Sequence, residues 1–97
     1  MKAVMIIYDQ AHSANVLEIL DKCSIRGFTK WDNVHGRGSK KGDPHYSSHA
    51  WPSTNMVTLA ITEEEKIPAL IEELKALNDD ALKQGLRVFT WEAESAI

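Results

Sequence analysis

The densest chemistry in the sequence lies in GRGSKKG, Gly36–Gly42, where three glycines alternate with Arg37, Ser39, Lys40 and Lys41. Glycine lets the backbone reach positive φ and present successive N–H groups, and nearby cations add charge; together these are the means of binding an anion. The string is not a Walker loop, because G-x-x-x-x-G-K-[ST] does not occur. The same composition describes a solvated basic loop, and the residues alone leave both readings open. His35, His45 and His49 lie around and after this stretch, with Asp43 between them. Imidazole and carboxylate ligands suit zinc or copper, but the spacing matches no standard site. Trp51-Pro52 either anchors the loop or meets a partner.

Nucleophilic and acid–base chemistry has little support. Ser39, Ser47 and Ser48 lie near histidines, but the G-x-S-x-G elbow is absent. The carboxylates of Glu63–Glu65 and Glu72–Glu73 fall on predicted helix surfaces and read as solvated. Arg87 is a cation inside a predicted strand, either a surface ladder residue or a ligand contact. No acid, base and nucleophile stand together, so the expectation is a protein that is not an enzyme.

These residues must be positioned by short regular elements. Ala3 to Tyr8 (AVMIIY) is a continuous apolar run, the mark of a central strand. Ser13 is an N-cap, and Val16, Leu17, Leu20 and Cys23 recur at helical spacing, predicting a helix over 13–24 that Gly27 stops. Phe28 to Val34 reads as a strand. The stretch from about Gly36 to Thr54 has no periodicity and is far longer than an ordinary connection, so it is expected to be a flexible, functional loop. Met56 to Thr62 alternates, with Val57, Leu59 and Ile61 on one side and Thr58 and Ala60 on the other. Thr62 and Glu65 have capping-box spacing. Pro68 fits only a first turn, so the second helix begins near Glu64 and carries the stripe Ile67, Leu70, Ile71, Leu74 and Leu77. Asn78, Asp79 and Asp80 interrupt it, Ala81 to Gln84 add a turn, and Leu86 to Trp91 is the last strand. Right-handed crossovers fold this order into an α+β, ferredoxin-like βαββαβ unit: a four-stranded antiparallel sheet with two helices on one face. The other face is left bare and has to be covered, most simply by further copies of the chain.

Composition narrows the class. The 97 residues carry a formal charge of −3 and 43% apolar residues, the balance of one globular domain that is not a nucleic-acid binder. The single cysteine, Cys23, fits a reducing cytoplasm and reads as a small buried apolar residue. No run is long and apolar enough for a membrane span, and the N-terminal run is too short for a secretory signal.

The segment Gly27-Phe28-Thr29, followed by V-x-G-x-G-x-x-K-G at Val34, Gly36, Gly38, Lys41 and Gly42, resembles the P-II nitrogen-regulatory superfamily, as does VFTWEAESAI at the end of the sequence. The resemblance runs over nearly the whole length. It implies a homotrimer of ferredoxin-like subunits that binds a small-molecule or anion effector, typically an adenine nucleotide, in clefts between subunits. A T-loop changes shape with the ligand and docks onto a regulated protein, a transporter or an enzyme. By position, Thr29 matches a residue near the nucleotide base. Gly36, Gly38, Ser39 and Lys40 match the start of the T-loop, where phosphates are held, with Arg37 and Lys41 as further ligand-binding candidates beside them, and Arg87 matches the phosphate-contacting lysine of the B-loop. The sequence departs from the family where the B-loop has T-G-x-x-G-x-G-K, since Asn78 to Arg87 contains only Gly85. Lys40 replaces the glutamine used with 2-oxoglutarate. The loop between Gly42 and Pro52 is shorter and rich in histidine, and the sequence ends at Ile97 without the family's basic tail. These departures argue against ATP and toward an anion or a divalent metal ion. The alternative is a trimer resembling the CutA-type cation-tolerance family, which shares the fold, with His35, His45 and His49 as metal ligands.

Overall fold

In the computed structural model, residues 1–36, 54–80 and 86–97 are described. Four strands, β1 (Lys2–Asp9), β2 (Thr29–Val34), β3 (Asn55–Thr62) and β4 (Arg87–Glu92), form one antiparallel sheet in the order β2-β3-β1-β4. Two helices, α1 (Ser13–Lys22) and α2 (Ile67–Asp80), are each entered through a 3₁₀ turn, Gln10–His12 and Glu64–Lys66. The ferredoxin-like α+β reading therefore holds.

Alternation along each strand divides the sheet into two unlike faces. Val4, Ile6 and Tyr8 of β1 pack with Met56 and Ala60 of β3 against Val16 and Leu20 of α1 and Leu70 and Leu74 of α2. Both helices thus cover one face, and Lys22 joins them by donating to Glu73 at 2.8 Å. Within this core the Tyr8 hydroxyl and Thr58 Oγ1 are 2.8 Å apart and hydrogen-bonded, which satisfies two polar groups taken out of water. Burial and, to a smaller extent, the nearby Asp32 push the Tyr8 phenol above its ordinary value.

The opposite face is lined by rows of apolar residues set by the register. One row holds Ala3, Ile61 and Trp91, the next Met5, Leu59 and Phe89, and a third Ile7, Val57 and Trp31. The alternation read from the sequence is correct, but the more apolar stripe of β3 faces away from the helices. Thr58 and Ala60 face them, with Ala60 small enough for close packing and Thr58 partnered by Tyr8.

Several local expectations are revised. α1 ends at Lys22, and Ser24, not Gly27, takes the left-handed conformation that terminates it, with φ 59°. Ile25 N donates to Leu20 O at 2.9 Å and Ser24 N to Asp21 O at 3.0 Å, the paired bonds of a Schellman cap, with Ile25 and Leu20 both buried. Gly27 meets open space and has no positive φ. The capping box does not form: Thr62 Oγ1 donates to the Glu63 carboxylate at 3.0 Å, and Glu63 is the cap residue of the 3₁₀ turn. α2 continues through Asn78, Asp79 and Asp80, because Asn and Asp lower helix propensity only modestly and do not break a helix as Pro does. The added turn at 81–84 lies outside the described residues.

Candidate functional site

Strands β1 and β2 run in the same direction, with β3 antiparallel between them. The end of β1, the end of β2, and the starts of β3 and β4 therefore share one end of the sheet. This is where the segment 37–53 leaves and returns, and where Arg87 begins β4.

The exit of that segment is shaped by a β-bulge. Trp31 pairs with Val57 and Val34 with Asn55, so β2 carries one more residue than β3 over this interval. Asn33 absorbs it with φ 55°, a conformation that Asn tolerates better than most residues. The bulge redirects Val34, His35 and Gly36. Gly36 is favoured by space, not by positive φ: a Cβ there would lie 3.0 Å from Asn55 Nδ2, so that buried side chain would have to give by a few tenths of an ångström. At the return, Thr54 is buried and bonded to Gln10. Beneath this root is a polar cleft of ≈ 380 Å³ lined by Gln10, Ser13, Lys30, Asp32, Asn33 and Thr54, with Met56.

Of the sequence-derived ligand residues, the three that are described, Thr29, Gly36 and Arg87, do not meet within one chain. Thr29 is exposed at the start of β2, in register with Leu59, and Gly36 lies just past the far end of that strand. Arg87 is exposed on β4, opposite Ile7, and its Nη1 donates to Leu86 O at 3.1 Å. It borders a cleft of ≈ 240 Å³ with Lys75 and Asn78 over an apolar floor. β2 and β4 are the two edge strands, three inter-strand steps apart, which is about 14 Å. Arg37, Gly38, Ser39, Lys40, Lys41, His45 and His49 lie outside the described residues. His35 is exposed, and among the described residues no three His, Cys, Asp or Glu side chains are grouped to hold a metal ion. Cys23 is partly buried against the core, and burial raises its thiol above the ordinary value, so it lacks the character of an activated thiolate. Among the described residues, no helix is long and apolar enough to cross a membrane.

Sequence reading missed Gln10, Asn33 and Asn55. Asn33 carries a weak signal, an Asn-Val step before a glycine-rich run; Gln10 carries none, because its role depends on a residue 44 positions away.

The profile of the family described as Nitrogen regulatory protein P-II matches residues 1–97. No curated protein sequence matches. Among solved structures, CPII from Thiomonas intermedia K12, a nitrogen regulatory PII-like protein bound to ADP, AMP and bicarbonate, superimposes with a TM-score of 0.76 at 22% identity, covering 93% of this chain and 82% of that one. The same protein bound to ADP and bicarbonate gives 0.74 at 24% identity, with the same coverage. A PII-like signalling protein from Thermus thermophilus gives 0.66 at 18% identity, covering 93% and 83%. At these identities the structures speak for the fold, while the profile spans the whole sequence. The chain belongs to the nitrogen regulatory protein P-II family, whose members are signalling regulators and not enzymes.

Proposed function

We propose that the chain is a homotrimeric P-II-type sensor that binds a small anionic effector at the seam between copies and acts on a partner protein through residues 36–54. The observation that carries this reading is the open apolar sheet face. Trp31, Ile61, Phe89 and Trp91 are 46%, 46%, 53% and 45% exposed there, on a face that no described element of the chain covers. Sister chains are the cover that the small fold itself calls for. The same packing explains why Thr29 and Arg87 sit on opposite edges. Placing the β2 edge of one copy near the β4 edge of the next brings both residues to one cleft, beside the Gly36–Lys41 segment.

The effector class is that of an adenine nucleotide with an accompanying small anion such as bicarbonate, the ligand chemistry of the Thiomonas relative. Backbone N–H groups at Gly36 and Gly38, with Arg37, Lys40, Lys41 and Arg87, supply the counter-charge, and Ser39 supplies a hydroxyl. Binding shifts the loop population toward a partner-docking form by no more than the ligand's differential affinity for the two forms. The reading includes a cytoplasmic setting, where the partner, a transporter or enzyme, presents its regulated face.

Isothermal titration of ADP, AMP and bicarbonate, singly and together, tests it. The expected result is saturable binding that weakens in Lys40→Ala and Arg87→Gln, with the melting temperature rising by mass action in the unmodified chain. Absence of both heat and thermal stabilisation with all three ligands would refute the effector assignment.

A further inference from the structure

The polar cleft of ≈ 380 Å³ lies on the helix side of the sheet, away from the apolar face offered to sister copies. Lys30 is in register with Thr58, whose hydroxyl meets the buried Tyr8, and alternation puts Asp32 on the same side. The volume falls within the roughly 300–1,000 Å³ of small-molecule sites. Six of the seven lining residues are polar, namely Gln10, Ser13, Lys30, Asp32, Asn33 and Thr54, and only Met56 is apolar.

The fold itself makes little use of these polar groups. Lys30 Nζ and Asp32 Oδ1 lie 3.9 Å apart, beyond hydrogen-bond reach, and both side chains are partly exposed. Such a pair contributes little stability, so opening it for a ligand costs little. Among the described residues, nothing hydrogen-bonds to the Ser13 hydroxyl or to the Asn33 side-chain amide. Thr54 Oγ1 donates to Gln10 Oε1 at 3.1 Å, which holds the Gln10 amide in place and leaves its Nε2 to donate elsewhere. The cleft therefore offers one charge of each sign among neutral donors and acceptors. A simple anion would be repelled by Asp32 and a simple cation by Lys30, whereas a ligand with both signs on neighbouring groups satisfies the two at once.

We propose that this cleft binds a small zwitterion of the α-amino-acid type with a polar side chain: Lys30 and Ser13 take its carboxylate, Asp32 its ammonium, and the amides of Gln10 and Asn33 its side chain. The ligand exchanges the loose Lys30–Asp32 contact for two charge-assisted hydrogen bonds. The site uses none of the residues assigned to the anionic effector, so it stands or falls separately from that assignment.

The test is titration of L-asparagine into the isotope-labelled full chain, followed by amide NMR. Wild type should show saturable shifts at Gln10, Ser13, Lys30, Asp32 and Asn33, with α2 unmoved. Lys30→Met and Asp32→Asn, both on an exposed edge strand, should keep the wild-type melting temperature and each weaken binding about tenfold, the order of one charge-assisted hydrogen bond. Succinamate, which is asparagine without the ammonium, and β-alaninamide, which is asparagine without the carboxylate, should each bind at least about tenfold more weakly than asparagine. Equal affinity for either truncated ligand would overturn the zwitterion assignment. Shifts that fail to saturate at tens of millimolar asparagine, or that fall outside these residues, would overturn the site.

Discussion

Replacing Phe89 by Ser probes the open sheet face without touching the core. Phe89 is 53% exposed and sits in the row Met5, Leu59 and Phe89, while the helices pack on the other side of the sheet. A Phe side chain carries on the order of 200 Å² of surface, so about 100 Å² remains to be covered. At ~25 cal/mol per Å² this is ~2.5 kcal/mol for each seam it enters. That corresponds to a roughly 60-fold rise in the dissociation constant per seam. Ordering of side chains at the seam reduces the gain, so about tenfold is a conservative floor. Leu17→Ser is the matched control, since Leu17 is 50% exposed on α1. Light scattering across a dilution series should show Phe89→Ser dissociating at concentrations where wild type and Leu17→Ser stay associated. Identical dissociation curves for all three proteins would refute the assignment of this face to sister chains.

Three further outcomes follow from local geometry. Tyr8→Phe leaves the Thr58 hydroxyl buried without its partner and should cost about 1–3 kcal/mol in chemical denaturation, whereas Tyr8→Phe with Thr58→Val should recover most of that loss. Ser24→Gly relieves a left-handed backbone at the α1 cap and should raise stability by up to ~1 kcal/mol, provided the relief exceeds the entropy glycine adds to the unfolded chain. The Glu92 carboxyl lies below its usual 4.5, chiefly because Lys2 hydrogen-bonds to it, and Glu63 is lowered by its own backbone, Thr62 and Lys66. A lowered folded value means that this stabilisation is present above about pH 4.5 and is lost as pH falls through the folded value, so the acid limb of a melting-temperature profile should flatten in Glu92→Gln.

The elements that rest on period alone were legible in the sequence. The AVMIIY run became the central strand β1, the Leu70–Leu74 stripe became the buried face of α2, and Pro68 fell in its first turn. What escaped sequence reading depends on contacts between distant residues. The Schellman cap chose Ser24 over Gly27 because Ile25 has a buried seat beside Leu20, a gain that offsets the left-handed strain. The facing of β3 was hidden because Thr58 looks like a surface residue until Tyr8 is found beside it. The bulge at Asn33 and the two hydrogen bonds between Gln10 and Thr54 have no local period at all. Of the proposed site residues, Thr29 and Arg87 fall on the strands expected and Gly36 just after β2, but the separation of Arg87 from the other two on the opposite edge follows from strand order, which no motif states.

The most direct measurement of the central claim is the mass of the wild-type chain by sedimentation equilibrium at micromolar concentration. Coverage of the sheet face by sister copies predicts three times the chain mass. A stable monomer would leave Trp31, Ile61, Phe89 and Trp91 in water and contradict it.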